Sequence, residues 1–211
     1  FETYLGSRRY FQELRFKFAF HDLLNDDTGY IKNSQIDFPA LTLRYLPAEG
    51  RLRVEQLDGI AITSLFPMDF LEKRLSWRAA LDYYTPRDFG CDGCHLFRFE
   101  AGAGATVEVF TPAVSAYVLG LGDIEAGNAL HKGFRWGPKL QAAAIVHPFA
   151  RFKSQPSYSL VADLGQSDRR HAYGVFEWNN SYALARNWEL RAGFRALTDF
   201  HEEKVTLNFY F

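Results

Sequence analysis

The residues that concentrate the most chemistry in the fewest positions are Cys91-Asp92-Gly93-Cys94-His95. Cys-x-x-Cys-His is the attachment pattern of c-type haem, in which two thiols bond the vinyl groups and the His supplies an axial ligand. Asp92-Gly93 is also a turn dipeptide, and the plainer expectation is a loop-closing disulfide between Cys91 and Cys94 with no cofactor. Haem held by Cys91, Cys94 and His95 is the alternative, with free thiols or a metal as further readings. Two cysteines fall short of the four ligands of a structural zinc site, so no metal site is expected.

The histidines are His21, His95, His131, His147, His171 and His201. Outer-membrane lipid hydrolases and acyltransferases resemble one another in carrying a strand-borne His-x-Ser pair, oriented by an acid or amide. No histidine here is followed two positions later by Ser; His171 has Tyr173 there and His201 has Glu203. No catalytic residue is therefore singled out and the chain is not expected to be an enzyme. A lipid hydrolase or acyltransferase stays as an alternative. His171 and His201 are expected at loop rims.

The elements that must position these groups are strands. From Lys204 the chain reads Lys-Val-Thr-Leu-Asn-Phe-Tyr-Phe, so Val205, Leu207, Phe209 and Phe211 share one face and Lys204, Thr206, Asn208 and Tyr210 the other. Period two marks a strand with one apolar and one polar side. The same alternation runs through 10–20, 41–45, 51–55, 75–83, 97–104, 117–121, 139–146, 158–162, 172–182 and 188–196. Polar loops are expected at 23–33, 85–93, 123–132 and 165–170, and hairpin turns at 47–50 and 186–187. The count comes to about eleven. Because bacterial barrels have even strand numbers, we expect an all-β, antiparallel up-and-down transmembrane β-barrel of about twelve strands, with ten as the alternative. It would form a single domain over residues 1–211.

Composition fits. The 211 residues include 20 Phe and 11 Tyr against one Met, and 17% are aromatic. This suits strands and the interfacial girdles of a membrane barrel. No run approaches the roughly 18 apolar residues of a transmembrane helix. A net charge of −1 leaves no field that would attract nucleic acid. The chain begins at Phe1 without a signal segment, as a processed chain or a fragment would.

Period alone does not distinguish an apolar-out membrane barrel from an apolar-in soluble one. The polar faces carry Glu13, Arg15, Arg53, Glu55, Arg78, Arg98, Glu100, Glu189, Arg191 and Arg195. Mixed signs at matching positions suit a lumen filled by Arg–carboxylate pairs. Trp77, Trp136, Trp178 and Trp188 fall in or near strand ends, where an interfacial belt would place them. The terminal strand resembles the last strand of bacterial outer-membrane barrels, in which the assembly machinery reads alternating apolar residues and a final Phe. That resemblance implies Phe209 and Phe211 as an assembly signal.

A wider resemblance rests on Leu43-Arg44-Tyr45-Leu46-Pro47, Arg51-Leu52-Arg53-Val54-Glu55, Thr63-Ser64-Leu65-Phe66-Pro67 and Ser76-Trp77-Arg78, followed by the paired cysteines and a glycine-rich strand at Gly102. This order resembles the carboxyl-terminal barrel region of proteobacterial surface proteins whose front half is an Lnb-like periplasmic domain. In that family the likeness to lipoprotein N-acyltransferases belongs to the periplasmic half, so the resemblance carries no catalytic residue to this chain. The expectation is a monomeric protein of the bacterial outer membrane, serving as membrane anchor or structural scaffold. Its partners would be outer-membrane lipid, the barrel assembly machinery and a larger envelope complex. A small diffusion pore is the rival.

Overall fold

In the computed structural model the alternating runs are strands of one sheet. The model describes residues 2–4, 7–17, 22–25, 33–68, 73–87, 93–110, 113–164 and 172–209. The strands are β1 Glu2–Tyr4, β2 Ser7–Arg9, β3 Gln12–Lys17, β4 Ser34–Asp37, β5 Ala40–Leu46, β6 Arg51–Ser64, β7 Ser76–Tyr84, β8 Leu96–Phe110, β9 Val114–Ala126, β10 Phe134–Phe149, β11 Phe152–Ala162, β12 Ala172–Ala185, β13 Trp188–Leu197 and β14 Phe200–Phe209. From β5 to β14 each strand pairs antiparallel with the next in sequence. The order then passes from β14 to β1 and β2, while β3 pairs β5 at the other end of the path. Only Tyr10 and Phe11 separate β2 from β3.

The count is fourteen among the described residues, not the expected twelve or ten. The surplus has a physical origin. β1 and β2 are three-residue strands paired antiparallel with one another, and β4 has four residues. β4 and β5 lie along the same strand, β6, with Asp37 opposite Ala61 and Ala40 opposite Asp58. Phe38-Pro39 interrupts the run between them, since Pro brings no N–H to a ladder. From β6 onward every strand has nine residues or more.

One segment expected as a loop, 123–132, begins as strand. Asp123 and Glu125 belong to β9, paired with Gly137 and Arg135 of β10. β10 begins at Phe134 and runs through Pro138, which sits opposite Gly122. Neighbouring backbone comes closest at three glycines. A Cβ on Gly102 would lie 2.1 Å from the Gly120 carbonyl oxygen, one on Gly104 1.9 Å from that of Val118, and one on Gly137 1.6 Å from that of Ala162. No side chain can occupy those positions without moving the neighbouring strand.

The two faces of the sheet differ sharply. Val205 is 75% exposed, Leu52 64%, Leu14 56% and Phe99 48%, and Leu81, Leu140, Leu160 and Leu207 are also exposed. Arg44, Glu2 and Glu100 are each 2% exposed or less, and Arg53, Glu189 and Glu202 are buried as well. The buried face is thus charged and the exposed face apolar, the reverse of the pattern in a soluble β-sheet protein. β9 departs from this rule. Its buried side carries Tyr117, Leu119 and Leu121, which pack with Leu23, Leu65 and Ile145 in the main apolar cluster.

Candidate functional site

The buried face is the place where chemistry could happen, and it is built in three zones. The first joins the two ends of the sheet path. Alternation along β5 turns Arg44 to the buried side, between exposed Tyr45 and half-buried Leu43. Its Nη1 donates to Glu2 at 2.6 Å and its Nη2 to Glu13 at 2.8 Å. Glu202 of β14 lies 2.8 Å away and Glu55 3.6 Å. The Phe11 ring stacks under the guanidinium at 3.9 Å. Arg87, from the segment after β7, reaches in to Glu55 at 2.6 Å and Glu2 at 3.3 Å. Arg53 adds a 3.0 Å pair with Glu55. One guanidinium therefore touches carboxylates from β1, β3, β6 and β14.

The second zone crosses β7 to β10. Arg78 pairs with Glu100 at 2.6 Å and also donates to the Thr63 hydroxyl at 2.9 Å. Lys139 reaches the other oxygen of Glu100 at 2.6 Å. Arg98 forks onto Asp82, its Nε at 3.0 Å from Oδ1. Glu125 accepts from the Tyr84 hydroxyl and from Arg135.

The third zone is an inserted segment. Residues 23–25, expected as the start of a loop, lie together with Asp22 against the buried face of strands distant in sequence. Arg191 donates to both oxygens of Asp22, at 2.7 and 3.0 Å. Asn25 donates to Glu189 at 3.1 Å, and Lys153 donates to the Asn25 carbonyl at 2.6 Å. Leu23 and Leu24 are buried. Leu23 meets Leu65, from the connection between β6 and β7, on the apolar side of β9. Asp22 also holds the turn itself, accepting from the backbone N–H of Leu24 and Asn25.

The sequence-marked charges can now be placed. Arg53, Glu100 and Glu189 are buried; Glu13, Glu55, Arg78, Arg98, Arg191 and Arg195 are half-buried. Arg15 is the exposed one, and it still bonds Asp58 at 2.9 Å. Arg195 pairs with Glu177 at 3.4 Å. Sequence reasoning missed Arg44, Arg87, Asp22, Asp123 and Glu202, which are equally enclosed. Arg44 and Glu202 carried the alternation signal; Asp22 and Arg87 carried none, because contacts of a folded-in loop leave no period.

Phe209 is 45% exposed and its ring meets Trp188 at 4.8 Å. Phe211 lies outside the described residues. So does Cys91; Cys94 is half-buried and is not a free thiol. His95 stacks on Tyr83 at 4.9 Å, with its Nδ1 3.4 Å from the Thr85 hydroxyl. Burial, with Arg53, Arg87 and Arg51 in range, pulls its imidazole below the usual range despite Glu55. His131 and His201 are exposed and His147 half-buried. His21 and His171 lie outside the described residues.

Exposed aromatic residues gather toward both ends of the strands. Trp188 with Phe209 and Phe149 with Phe152 mark one end. Phe97, Phe134 and Trp136 mark the other.

Residues 4–211 match the family described as Domain of unknown function (DUF7840), and the chain belongs to it. No curated protein matches the chain. Among solved structures, the NanC porin is similar, with a TM-score of 0.59 at 8% identity, over 100% of this chain and 97% of that one. At that identity the likeness is one of fold, and the fold is porin-like.

Proposed function

We propose that this DUF7840 member is an outer-membrane β-barrel of the bacterial envelope whose interior is filled, acting as a membrane anchor or scaffold. The observation that carries the reading is the inversion of the faces. An Arg on the lipid face near the bilayer midplane costs about 2–4 kcal/mol, and the paired arginines lie on the buried side while Val205, Leu52 and Leu14 are exposed. The nine or more residues of each strand from β6 onward suffice for a tilted crossing. Aromatic residues toward both strand ends supply the interfacial belts. Closure of the sheet into a barrel is supported by Arg44, which reaches from β5 to Glu202 of β14. The terminal strand, with Phe209 and Phe211, would be the part that the assembly machinery recognises. The resemblance to barrel regions that follow an Lnb-like periplasmic domain supports the anchor role and names what would be anchored within a larger envelope complex.

The porin likeness favours a second reading, a small diffusion pore. The segment 22–25 and the ion pairs around Arg44 and Glu100 stand against a wide aqueous path. Planar-bilayer recording decides between them. The purified protein is expected to give no steady single-channel steps, and Asp22→Ala combined with Arg191→Ala is expected to introduce them by releasing the inserted segment. Stable conductance of the unmodified protein would overturn the filled-interior reading and leave the pore.

A further inference from the structure

The buried face is polar along most strands, yet β9 turns Tyr117, Leu119 and Leu121 toward it, and Ile145 of β10 joins them. An apolar strip on such a wall calls for a cover, because apolar surface left in water is unfavourable. The chain supplies the cover itself, as Leu23 and Leu65 lie on the strip. One residue before Leu23, the Asp22 carboxylate accepts from both Nη atoms of Arg191, at 2.7 and 3.0 Å. Glu189 engages the Arg191 Nε, which holds the guanidinium in place and leaves the two Nη atoms to Asp22. A bidentate fork of this kind is how arginine recognises a carboxylate, whatever molecule the carboxylate belongs to. Asp22 and Leu23 thus place, side by side, a carboxylate on a guanidinium and an aliphatic group on an apolar strip.

The segment that carries them is a turn closed on itself, with the Asn25 N–H on the Asp22 carbonyl at 3.1 Å. It meets the wall through the side chains of Asp22, Leu23 and Asn25 and through the Asn25 carbonyl. Such contacts of a short turn open at lower cost than the ladder of a long strand. We infer that Arg191 with the strip of Leu119, Leu121 and Ile145 is a binding seat for an unbranched aliphatic carboxylate, which Asp22 and Leu23 occupy in its absence. The head of the ligand takes the Arg191 fork and its tail takes the strip. Adjacent Cα atoms are about 3.8 Å apart, so a tail of medium length covers the reach from Asp22 to Leu23. A bare anion gains the fork and forgoes the strip, and a neutral alkyl compound does the reverse. The inference rests on the filled-interior reading and deepens it, since the inserted segment becomes a competitor for a ligand.

The test uses the full chain in lipid nanodiscs and equilibrium dialysis of isotope-labelled octanoate, with empty nanodiscs as the blank. Saturation at about one octanoate per chain is expected. Because the segment competes, the apparent affinity falls with the fraction of chains whose seat is open. Asp22→Asn loosens the segment and leaves Arg191 and the strip intact, so it is expected to lower the half-saturating concentration about tenfold. Adding Arg191→Met to it should abolish saturable binding. Acetate and octanamide should fail to displace the label, since one lacks the tail and the other the charge. The seat is overturned by an absence of saturable binding, by an unchanged half-saturation in Asp22→Asn, or by binding retained in the double variant. Displacement by acetate as effective as by unlabelled octanoate also overturns it, because the seat would then take a bare anion only. If Asp22→Asn does not fold, Leu23→Ala loosens the other hold and should lower the half-saturating concentration in the same direction, with no change overturning the seat. Dialysis reads binding alone, so its outcome stands apart from the bilayer recording that tests the filled interior.

Discussion

Replacing Arg44 with Met tests the joint between the ends of the sheet. Arg44 is 2% exposed and sits within 2.6–3.6 Å of Glu2, Glu13, Glu55 and Glu202. Methionine keeps most of the stem and removes the charge. The carboxylates do not suffer equally. Glu55 keeps Arg53 and Arg87, Glu2 keeps Arg9 at 3.1 Å, and Glu13 keeps Lys204 at 3.6 Å. Glu202 loses its short ion pair across the joint. Removing one partner of a buried pair costs about 3–5 kcal/mol because the other charge stays enclosed. We expect a loss in that range in urea unfolding from lipid vesicles, followed by the electrophoretic shift between folded and heated protein. Adding Glu202→Gln should recover at least about 1 kcal/mol, since the two residues share one network. A loss below about 1 kcal/mol for Arg44→Met, or strict additivity in the double variant, would refute the account of the joint.

Other outcomes follow from single positions. Gly104→Ala places a Cβ 1.9 Å from the Val118 carbonyl oxygen; it should cost at least the 1–3 kcal/mol typical of an overpacked interior, roughly, and lower the folded yield. Cys91 and Cys94 should resist alkylation until reductant is added, and the purified protein should show no Soret band; labelling without reductant would exclude the bridge. Deleting Phe211 should sharply reduce folded protein in the outer-membrane fraction, and normal accumulation would exclude the assembly-signal role.

Much of the architecture was legible because a one-faced strand writes a period of two into its sequence. Val205, Leu207 and Phe209, or Leu41, Leu43 and Tyr45, could be read directly, and so could the charges opposite them. Boundaries were less legible where proline and polar residues punctuate. Pro138 and Pro156 lie within β10 and β11, opposite Gly122 and Trp178. Each gives up one N–H, and the rest of the ladder on both sides still holds the strand. Asp123 and Glu125 resembled loop residues because acidic side chains normally seek water; alternation along β9 turns both to the buried side, where Arg135 and Tyr84 meet Glu125. The inserted segment was the least legible. Asp22 and Asn25 find Arg191, Glu189 and Lys153 more than a hundred positions away, and nothing local in the sequence marks that meeting.

The central claim is that the exposed apolar face meets lipid, and the protein carries its own reporters. Trp77, Trp136, Trp178 and Trp188 are 39–51% exposed on that face. Tryptophan fluorescence should be measured in vesicles with brominated acyl chains and, separately, with aqueous acrylamide. The account predicts strong quenching by the brominated chains and weak quenching by acrylamide. Full quenching by acrylamide with no effect of the brominated lipid would contradict it.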